Sequence, residues 1–391
     1  MGNAISRSRT GGSVTAYNFV QGKKFKNCGM IASMAAVAKN KALYDKVVPS
    51  GQHFEADNSS KVVFKLFKFG KPHAVEVGKK LPTDGNRLKY CRSSNGNMVG
   101  PLLEKALVQL MFKGNYESAV GVHAYFVMSS LTNNFYDDFN SFESKDSRFD
   151  FEELVDHGLK TKSPMVVGFR EPVSKHNLIT YHYYSLVEMK NVRKNSFLLY
   201  NPHGKFVLIR KESFINANFR FEISYSENNI FRIPKIKTCI DITSNWPPLK
   251  NNEKLHFVDY DLSVKEVGTE ILINIITNYC NQIDTGIFIV TNDERMAVIK
   301  GSVFRCKEKI VHKNSLRENL KNGKYKIVVV LFKYNRLENR LDRKEYLKKF
   351  GNEFLFRLAA SEQCLVKKSE KKETERITKT LINFLKSNRV F

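Results

Sequence analysis

The chain has 391 residues, of which 42% are hydrophobic and 12% aromatic, enough to form more than one buried core. This composition excludes a disordered tail protein and a small disulfide-stapled peptide. Lys and Arg residues (64) outnumber Asp and Glu residues (39), so the formal net charge of +25 predicts an anionic surface among the partners.

The six cysteines are far apart and none belongs to a CxxC pair, so the sequence indicates neither a disulfide framework nor a zinc site. This pattern is typical of a reducing compartment, and we expect a cytoplasmic protein. No stretch of eighteen apolar residues occurs, which argues against a transmembrane helix.

Residues 1–15 are predicted to be a flexible, basic N-terminal segment. The sequence from Met1 to Arg7 matches the pattern for myristoylation of Gly2, with Ser6 as the required hydroxyl residue. One acyl chain binds membranes only marginally, so nearby basic residues would have to add an electrostatic attraction to an anionic membrane surface. The alternative is a frayed terminus without a function.

The first half of the chain is predicted to be rich in helices. A run of small and apolar residues from Cys28 to Ala38 predicts a buried helix with Cys28 at its N-terminus. Strands are predicted at 62–69 and 74–77, and a second helix at 102–111. The polar, acidic segment 133–156 is predicted to be the passage to a mainly β half.

The rest of the chain is predicted to be mainly β. Runs at 164–169, 180–189, 195–200 and 219–223 predict an antiparallel sheet. From residue 236 the composition changes, and further strand-like runs predict a separate β-sandwich over 236–370; these runs are 287–291, 297–306 and 324–332. Residues 371–391 predict a basic amphipathic helix that packs on its own domain or, alternatively, binds a membrane or a partner.

Three residues stand in the order Cys, His, Asn that papain-like proteases use. A thiol at a helix N-terminus is easily ionised, although a lone Cys28 could equally be a core residue. His182 lies in a predicted strand, and Asn201 follows the next strand 19 positions later. A hairpin between them would hold the imidazole so that its other nitrogen can take the proton of Cys28.

Residues 16–235 resemble the protease core of calpains, and residues 237–365 are more loosely similar to a calpain β-sandwich domain. The segments that carry the resemblance to the core are Gln21-Gly22 with Asn27-Cys28, Leu102-Leu103-Glu104-Lys105-Ala106 with Gly114-Asn115-Tyr116-Glu117, His182-Tyr183-Tyr184-Ser185, and Asn201-Pro202-His203-Gly204. In the later domain they are 322–330 and 354–358. No EF-hand loop follows, so the calcium-binding EF-hand region of conventional calpains is not expected.

The resemblance implies an α+β fold: a papain-like, two-lobed protease core followed by an all-β sandwich. The helical Cys lobe would cover 16–132 and the antiparallel β lobe with His and Asn would cover 133–235. The resemblance also implies that Cys28 is the nucleophile, His182 the general base and then acid, and Asn201 the orienting residue. Gln21 would form the oxyanion hole with the backbone N–H of Cys28.

The sequence departs from the family pattern around the active site. Gln21 precedes Cys28 by seven residues where the family has six, so one residue should bulge out. Gly29 and His203 replace two tryptophans, the second of which shields the His–Asn contact from water. The family resemblance implies calcium, but residues 120–127 contain no acid and the acidic loop after Gly204 is shortened, so no cofactor or metal site is predicted.

Two functions remain open. The first is a calpain-like cysteine endopeptidase, cytoplasmic and anchored to membrane through Gly2, which acts on protein substrates without core calcium sites. The alternative is a catalytically impaired, membrane-attached binding or scaffold protein on the same fold. The lysines are dispersed and no nucleic-acid-binding motif accompanies them, so we expect no specific nucleic acid partner. The sequence does not predict the cleavage preference or the oligomeric state.

Overall fold

A computed structural model forms two compact units, Met1–Ser226 and Glu227–Phe391, each described here by itself. Gly2, together with Lys23 and Lys24, lies outside the described residues. The described residues are 18–22, 25–54, 61–140, 151–173, 178–190, 196–233, 235–246, 256–277, 283–292, 298–301, 303–306, 309–312, 315–333, 353–369 and 374–387.

The first unit combines helices with antiparallel sheets, which confirms the predicted mixture of α and β structure. Its helices are α1 (Cys28–Ala38), α2 (Lys41–Val47), α3 (Val99–Phe112), α4 (Ala124–Thr132), α5 (Phe151–Lys160) and α6 (Lys211–Ile215), with a 3-10 turn at Tyr116–Ala119. Its strands are β1 (Phe19–Val20), β2 (Lys61–Lys68), β3 (Lys71–Gly78), β4 (Thr83–Asp84), β5 (Arg87–Leu88), β6 (Arg92–Ser93), β7 (Phe135–Asn140), β8 (Met165–Phe169), β9 (His182–Lys190), β10 (Ser196–Asn201), β11 (Lys205–Arg210) and β12 (Phe219–Tyr225).

A six-stranded antiparallel sheet organises this unit, with the strand order β11-β10-β9-β8-β12-β7. Helix α1 packs on β8 and β9 of this sheet and on α4. It can be buried on nearly every side because its residues are small and apolar, and ten of its eleven residues are buried. The sheet and the central helix therefore enclose the core of the unit between them.

The polar, acidic segment 133–156 contains regular secondary structure at both of its ends. Residues 135–140 form β7, a fully buried strand paired with β12, and residues 151–160 form α5. Asp138 can be buried in β7 because Arg220 of β12 forms an ion pair with it. The apolar spacing in α5, at Phe151, Leu154, Val155 and Gly158, is a helical signal that the acidic composition obscured.

The second unit is built mainly from antiparallel strands. They are β13 (Thr238–Asn245), β14 (His256–Val264), β15 (Thr269–Thr277), β16 (Ile283–Thr291), β17 (Val298–Gly301), β18 (Val303–Cys306), β19 (Lys309–His312), β20 (Ser315–Leu320), β21 (Gly323–Lys333), β22 (Glu353–Ala360) and β23 (Cys364–Lys368). Two sheets, with the orders β13-β22-β15-β20 and β17-β16-β21-β14-β23, share one core, and Tyr260, Ile273 and Phe356 are among the side chains packed between them. The strands β18 and β19 form a separate two-stranded sheet.

A C-terminal amphipathic helix, α7 (Thr374–Ser387), packs on this second unit. Its apolar residues Ile377, Leu381 and Leu385 are fully buried against Phe257 and Phe288 of the five-stranded sheet. Of the two options left by the sequence, packing on its own domain is the one found. In the described part of the chain, no helix has the length and apolar character needed to cross a membrane.

Candidate active site

A cleft of about 900 Å³ opens on the first unit, and four sequence-predicted residues lie at or beside it. Cys28, His182 and Gln21 line the cleft directly, and so does His203. Asn201 lies behind His182, to which it is hydrogen-bonded. The fold thus brings residues that are more than 170 positions apart in sequence to one site.

Cys28 is the first residue of α1 and its side chain is 8% exposed. The start of the helix is fixed from behind by the buried carboxyl group of Glu104, because the Asn27 side chain donates to one of its oxygens and the Cys91 backbone N–H donates to the other at 2.8 Å. The Ser33 hydroxyl donates to the carbonyl of Gly29 and ties the first turn of α1 together. The nucleophile candidate therefore sits on a rigid element.

His182 is the first residue of β9, which runs beside α1. The two elements are joined by the Ser185 hydroxyl, which donates to the Ala32 carbonyl at 2.7 Å. The backbone of Tyr181, immediately before His182, has φ = 53°, in the left-handed region that a bulky side chain seldom adopts. Such local strain is typical of functional sites, where the surrounding structure enforces it.

The Nε2 atom of His182 lies 2.9 Å from the Oδ1 atom of Asn201, a hydrogen bond buried within the protein. An amide oxygen can only accept, so Nε2 must carry the proton. The backbone N–H of His203 donates to the same oxygen at 2.9 Å, which fixes the orientation of the amide. In neutral His182 the Nδ1 atom is therefore the one with a free lone pair, as a general base requires.

Burial favours the neutral forms of both reacting groups. It raises the pKa of the Cys28 thiol, although the backbone N–H groups of Tyr183, Gly29 and Cys28 itself oppose this effect. It lowers the pKa of His182 to about 4, which the hydrogen bond to Asn201 opposes and the nearby His203 reinforces. His182 is then unprotonated at neutral pH and able to accept a proton.

Gln21 follows β1 and lines the same cleft as Cys28. Its backbone N–H donates to the Pro202 carbonyl at 2.8 Å, in the turn after Asn201, so it is anchored to the part of the chain that holds the histidine. Its side-chain amide donates to the Phe25 carbonyl. One of its two amide hydrogens is thereby used. The expected bulge between Gln21 and Cys28 includes residues 23 and 24, which lie outside the described residues.

The packing around position 29 explains why this residue is a glycine. A Cβ atom built on Gly29 would lie 2.1 Å from the Val122 carbonyl oxygen and 3.3 Å from the Tyr183 ring. No side chain fits there without movement of the backbone. The Tyr183 ring occupies the neighbouring space and lines the cleft beside Cys28.

Gly29→Ala is expected to lower the free energy of unfolding by about 1–3 kcal/mol, because the added methyl group overpacks against a backbone carbonyl. Chemical denaturation measures this change. Gly78→Ala is the matched control, since nothing lies within 4 Å of the Cβ position at Gly78, and it should be neutral or slightly stabilising. Equal stability of the two variants would contradict this explanation of Gly29.

His203 places an imidazole where the family has a shielding tryptophan. Its ring centroid lies 4.8 Å from that of His182, with the planes inclined by 43°. Tyr184 contacts the same histidine edge-on, with ring centroids 5.0 Å apart. The His182–Asn201 pair is therefore covered by rings, and His182 is only 5% exposed.

A buried ionic network that the sequence reasoning missed supports the wall of the cleft. Arg220 forms ion pairs with Asp138 at 2.6 Å and with Glu222 at 2.9 Å. The Tyr183 hydroxyl donates to Glu222 at 2.9 Å and lies 3.0 Å from Nδ1 of His123. Alternation in β12 would have placed Arg220 and Glu222 on one face of the strand, but only the structure shows that this face is buried.

Glu104 is a second buried carboxyl group close to the site, 1% exposed. Burial raises the pKa of Glu104 to about 8. The hydrogen bonds that it accepts from the N–H groups of Cys91 and Asn27 lower this pKa, but they do not cancel the effect of burial. The group is thus mostly protonated at pH 7 in the folded chain and ionised in the unfolded chain. Its contribution to stability is complete below the usual pKa of 4.5 and is lost as the pH rises through 8.

Glu104→Gln is therefore expected to flatten the pH dependence of stability. Between pH 6.5 and 8, where the lowered pKa of His182 no longer matters, the wild-type free energy of unfolding should fall by up to about 2 kcal/mol more than that of the variant. Urea unfolding at several pH values measures this difference. Glu76→Gln, at an exposed carboxylate, is the control and should leave the wild-type slope unchanged. A Glu104→Gln profile parallel to the wild type would contradict the assignment.

The residues at the places where the family resemblance implies calcium do not fit that ion. Tyr125, in the segment without acids, is 5% exposed and stacks on Tyr136 with ring centroids 4.8 Å apart. After Gly204 the chain enters β11 directly, and Asn201 pairs with Lys205 across a tight turn. Within the described ranges, no three His, Cys, Asp or Glu side chains are grouped as metal ligands.

Comparisons with known proteins identify one family. The model of the calpain family of cysteine proteases matches residues 9–211, about half of the chain. The catalytic subunit of calpain-1 from Rattus norvegicus is 26% identical over 197 residues, which cover 46% of this chain and 26% of that protein. Calpain-8 from Rattus norvegicus is 32% identical over 96 residues, which cover 24% of this chain and 13% of that protein. The matched part therefore spans about a quarter or less of these relatives.

Proposed function

Because the chain belongs to the calpain family of cysteine proteases, we propose that it is an endopeptidase that uses Cys28, His182 and Asn201 on protein substrates. The observation that carries this proposal is the buried hydrogen bond of 2.9 Å between His182 Nε2 and Asn201 Oδ1, beside the cleft that Cys28 lines. It leaves the other imidazole nitrogen able to take the thiol proton.

Membership of this family also suggests how the two units correspond to the lobes and domains of a calpain. We infer that the first unit is a papain-like, two-lobed core: α1 and the helices around it form the Cys lobe, and the six-stranded sheet with His182 and Asn201 forms the other. The second unit, with two antiparallel sheets around one core, would be the calpain-type β-sandwich.

The chemistry divides into two steps. In the first, the Cys28 sulfur forms a bond to the scissile carbonyl carbon while its proton passes to His182 Nδ1, and His182 then gives this proton to the leaving amine as the C–N bond breaks. In the second, His182 takes a proton from water, the hydroxide replaces sulfur on the acyl carbon, and the proton returns to the thiolate. Asn201 keeps the imidazole oriented throughout.

Gln21 and the N-terminus of α1 are proposed to stabilise the oxyanion of both steps. The Cys28 backbone N–H lies at the start of the helix, where donors have no partner within the helix. The second amide hydrogen of Gln21 would be the other donor. Two donors at this position are the usual composition of such a site.

We propose further that turnover does not require calcium bound to the protease core. Tyr125 and the tight turn after Asn201 occupy the places where calcium ligands are implied by the family. The proposal is supported by contacts between protein groups: the Ser185–Ala32 hydrogen bond joins β9 to α1, and the His203 backbone N–H fixes the Asn201 amide that accepts from His182.

Hydrolysis of an unfolded, carboxymethylated protein tests the proposal, with wild type and Cys28→Ala each assayed with calcium and with chelator. The proposal expects fragments from the wild type under both conditions and none from Cys28→Ala. Fragments from both proteins, or from neither, would contradict a protease that uses Cys28, and the latter result would favour the membrane-attached binding or scaffold protein. Cleavage only with calcium would contradict the calcium-independent part alone.

A further inference from the structure

Tyr183, the residue after His182, has a side chain that two glycines accommodate. It lies opposite Gly168 in the ladder between β8 and β9, and a Cβ atom at Gly168 would lie 3.1 Å from the Tyr183 ring. A Cβ atom at Gly29, next to Cys28, would lie 3.3 Å from the same ring. The ring therefore packs closely on bare backbone of both β8 and α1.

The hydroxyl group of Tyr183 connects this ring to the buried ionic network. It donates to Glu222 at 2.9 Å, and Glu222 forms an ion pair with Arg220 at 2.9 Å. The Glu222 side chain also accepts the backbone N–H of Tyr125 and has no exposed surface. Because a buried acceptor that loses a donor is costly, the hydroxyl group is held firmly in this position.

The backbone of Tyr183 faces the nucleophile candidate. Burial raises the pKa of the Cys28 thiol, and the Tyr183 N–H is first among the three backbone donors that lower it. The other two donors, Cys28 itself and Gly29, belong to the first turn of α1. Tyr183 is therefore the donor that β9 contributes, and its hydrogen bond to the sulfur depends on how firmly β9 is held there.

The ring of Tyr183 also lines the cleft, where it forms part of the wall. A phenylalanine at this position would supply the same ring and the same wall. The hydroxyl group adds the hydrogen bond to Glu222, and it lies 3.0 Å from Nδ1 of His123. What a tyrosine contributes beyond a wall is a link between the ionic network and the backbone next to His182.

We propose that Tyr183 is a positioning residue for Cys28: its hydroxyl group, bound to Glu222, holds the β9 backbone so that the Tyr183 N–H donates to the sulfur and stabilises the thiolate. The inference deepens the proposed function and rests on it for any effect on turnover. Tyr183 exchanges no proton in this role. A hydrogen bond weakens steeply as its angle departs from linearity, so a looser tether stabilises the thiolate less.

The test compares the wild type with Tyr183→Phe, which keeps the ring and loses the hydroxyl group. The rate constant for alkylation of Cys28 by iodoacetamide, measured by peptide mass spectrometry, should be about fivefold lower in the variant at pH 7, because one hydrogen bond to the thiolate is weakened. In a series of pH values, the half-maximal rate should be reached at a higher pH. In peptide hydrolysis the loss should fall on kcat rather than on KM.

Tyr260→Phe is the matched control, because the Tyr260 hydroxyl group is also buried and donates to Ser244 at 2.9 Å, but in the second unit. It should keep the wild-type alkylation rate and pH profile. Gly168→Ala is a second variant, in which the tyrosine is intact but an added methyl group crowds its ring, and it should also slow the alkylation. Wild-type rates and pH profiles in both Tyr183→Phe and Gly168→Ala would overturn the inference.

Alkylation separates this inference from the proposed function, since it needs no peptide hydrolysis. If the wild type cleaves no protein but Cys28 is alkylated more slowly in Tyr183→Phe, the inference is supported and the protease is contradicted. If the wild type is an active protease and Tyr183→Phe matches it in alkylation and in kcat, the protease is supported and the inference is overturned.

Discussion

Replacing His182 with alanine is expected to lower kcat/KM for peptide hydrolysis at pH 7 by about 10³-fold. In the proposed mechanism the imidazole takes the thiol proton, and burial raises the pKa of Cys28, so little thiolate should form without it. The binding surface of the cleft is left in place, and we therefore expect the loss to fall on kcat rather than on KM.

The pH profile of the wild type belongs to the same prediction. Because burial lowers the pKa of His182 to about 4, the base stays unprotonated as the pH falls from 6.5 towards 4. The acid limb of kcat/KM should therefore lie well below pH 6.5, and it should be absent from the residual activity of His182→Ala. His73→Ala, which removes an exposed histidine of β3, is the control and should keep the wild-type rate and profile. A loss of less than tenfold in His182→Ala would contradict the role of His182.

Arg220→Met should lower the free energy of unfolding by about 3–5 kcal/mol, because it leaves two buried acids without their cation. Asp138 and Glu222 have no exposed side-chain surface, and both form ion pairs with this arginine. Burial already raises the pKa of Glu222, and Arg220 is the main group that opposes this effect. The decrease in the free energy of unfolding should therefore be largest at pH values at which both acids are ionised in the wild type.

Urea unfolding at pH 7 of Arg220→Met, Glu222→Gln and the double variant measures this network. The double variant should be more stable than the sum of the two single changes predicts, since removing one acid relieves the uncompensated charge. Arg87→Met, at an exposed arginine of β5, is the control and should change stability by less than about 0.5 kcal/mol. Additive effects at Arg220 and Glu222 would contradict the coupling.

The positions of Cys28, His182 and Asn201 could be predicted because each carries a local signal. Cys28 begins a run of small apolar residues, and the turn Asn201-Pro202-His203-Gly204 ends a strand next to the one that contains His182. The hairpin register then brings the two side chains together. Their catalytic roles are predictions that enzymatic assays of the variants test.

Other features depend on contacts between distant segments, and sequence patterns do not report these. The segment with Asp137 and Asp138 was predicted as a polar passage between two halves, and its composition did not show that β7 lies in the sheet beside β12, whose Arg220 neutralises Asp138. The need for glycine at position 29 arises from the Val122 carbonyl, 93 positions away. Neither contact leaves a periodic pattern in the sequence.

The predicted helices and strands also differ from those in the structure in their boundaries and in one missing strand. The second helix was predicted to begin after Pro101, whereas α3 begins at Val99, so that proline lies in its first turn. The strand β11 was not predicted; its residues 206–209 are a short apolar run without alternation, and Phe206 and Leu208 are about half exposed rather than packed in a core.

The central claim is that Cys28 is a nucleophile activated by its surroundings. Peptide mass spectrometry after brief treatment with a peptidyl epoxysuccinyl electrophile, with and without chelator, tests it most directly. We expect labelling confined to Cys28 among the six cysteines, equal under both conditions and lost in His182→Ala. Labelling of Cys28 no faster than that of exposed Cys239 would contradict the account, because a thiol that reacts only according to its exposure is not activated.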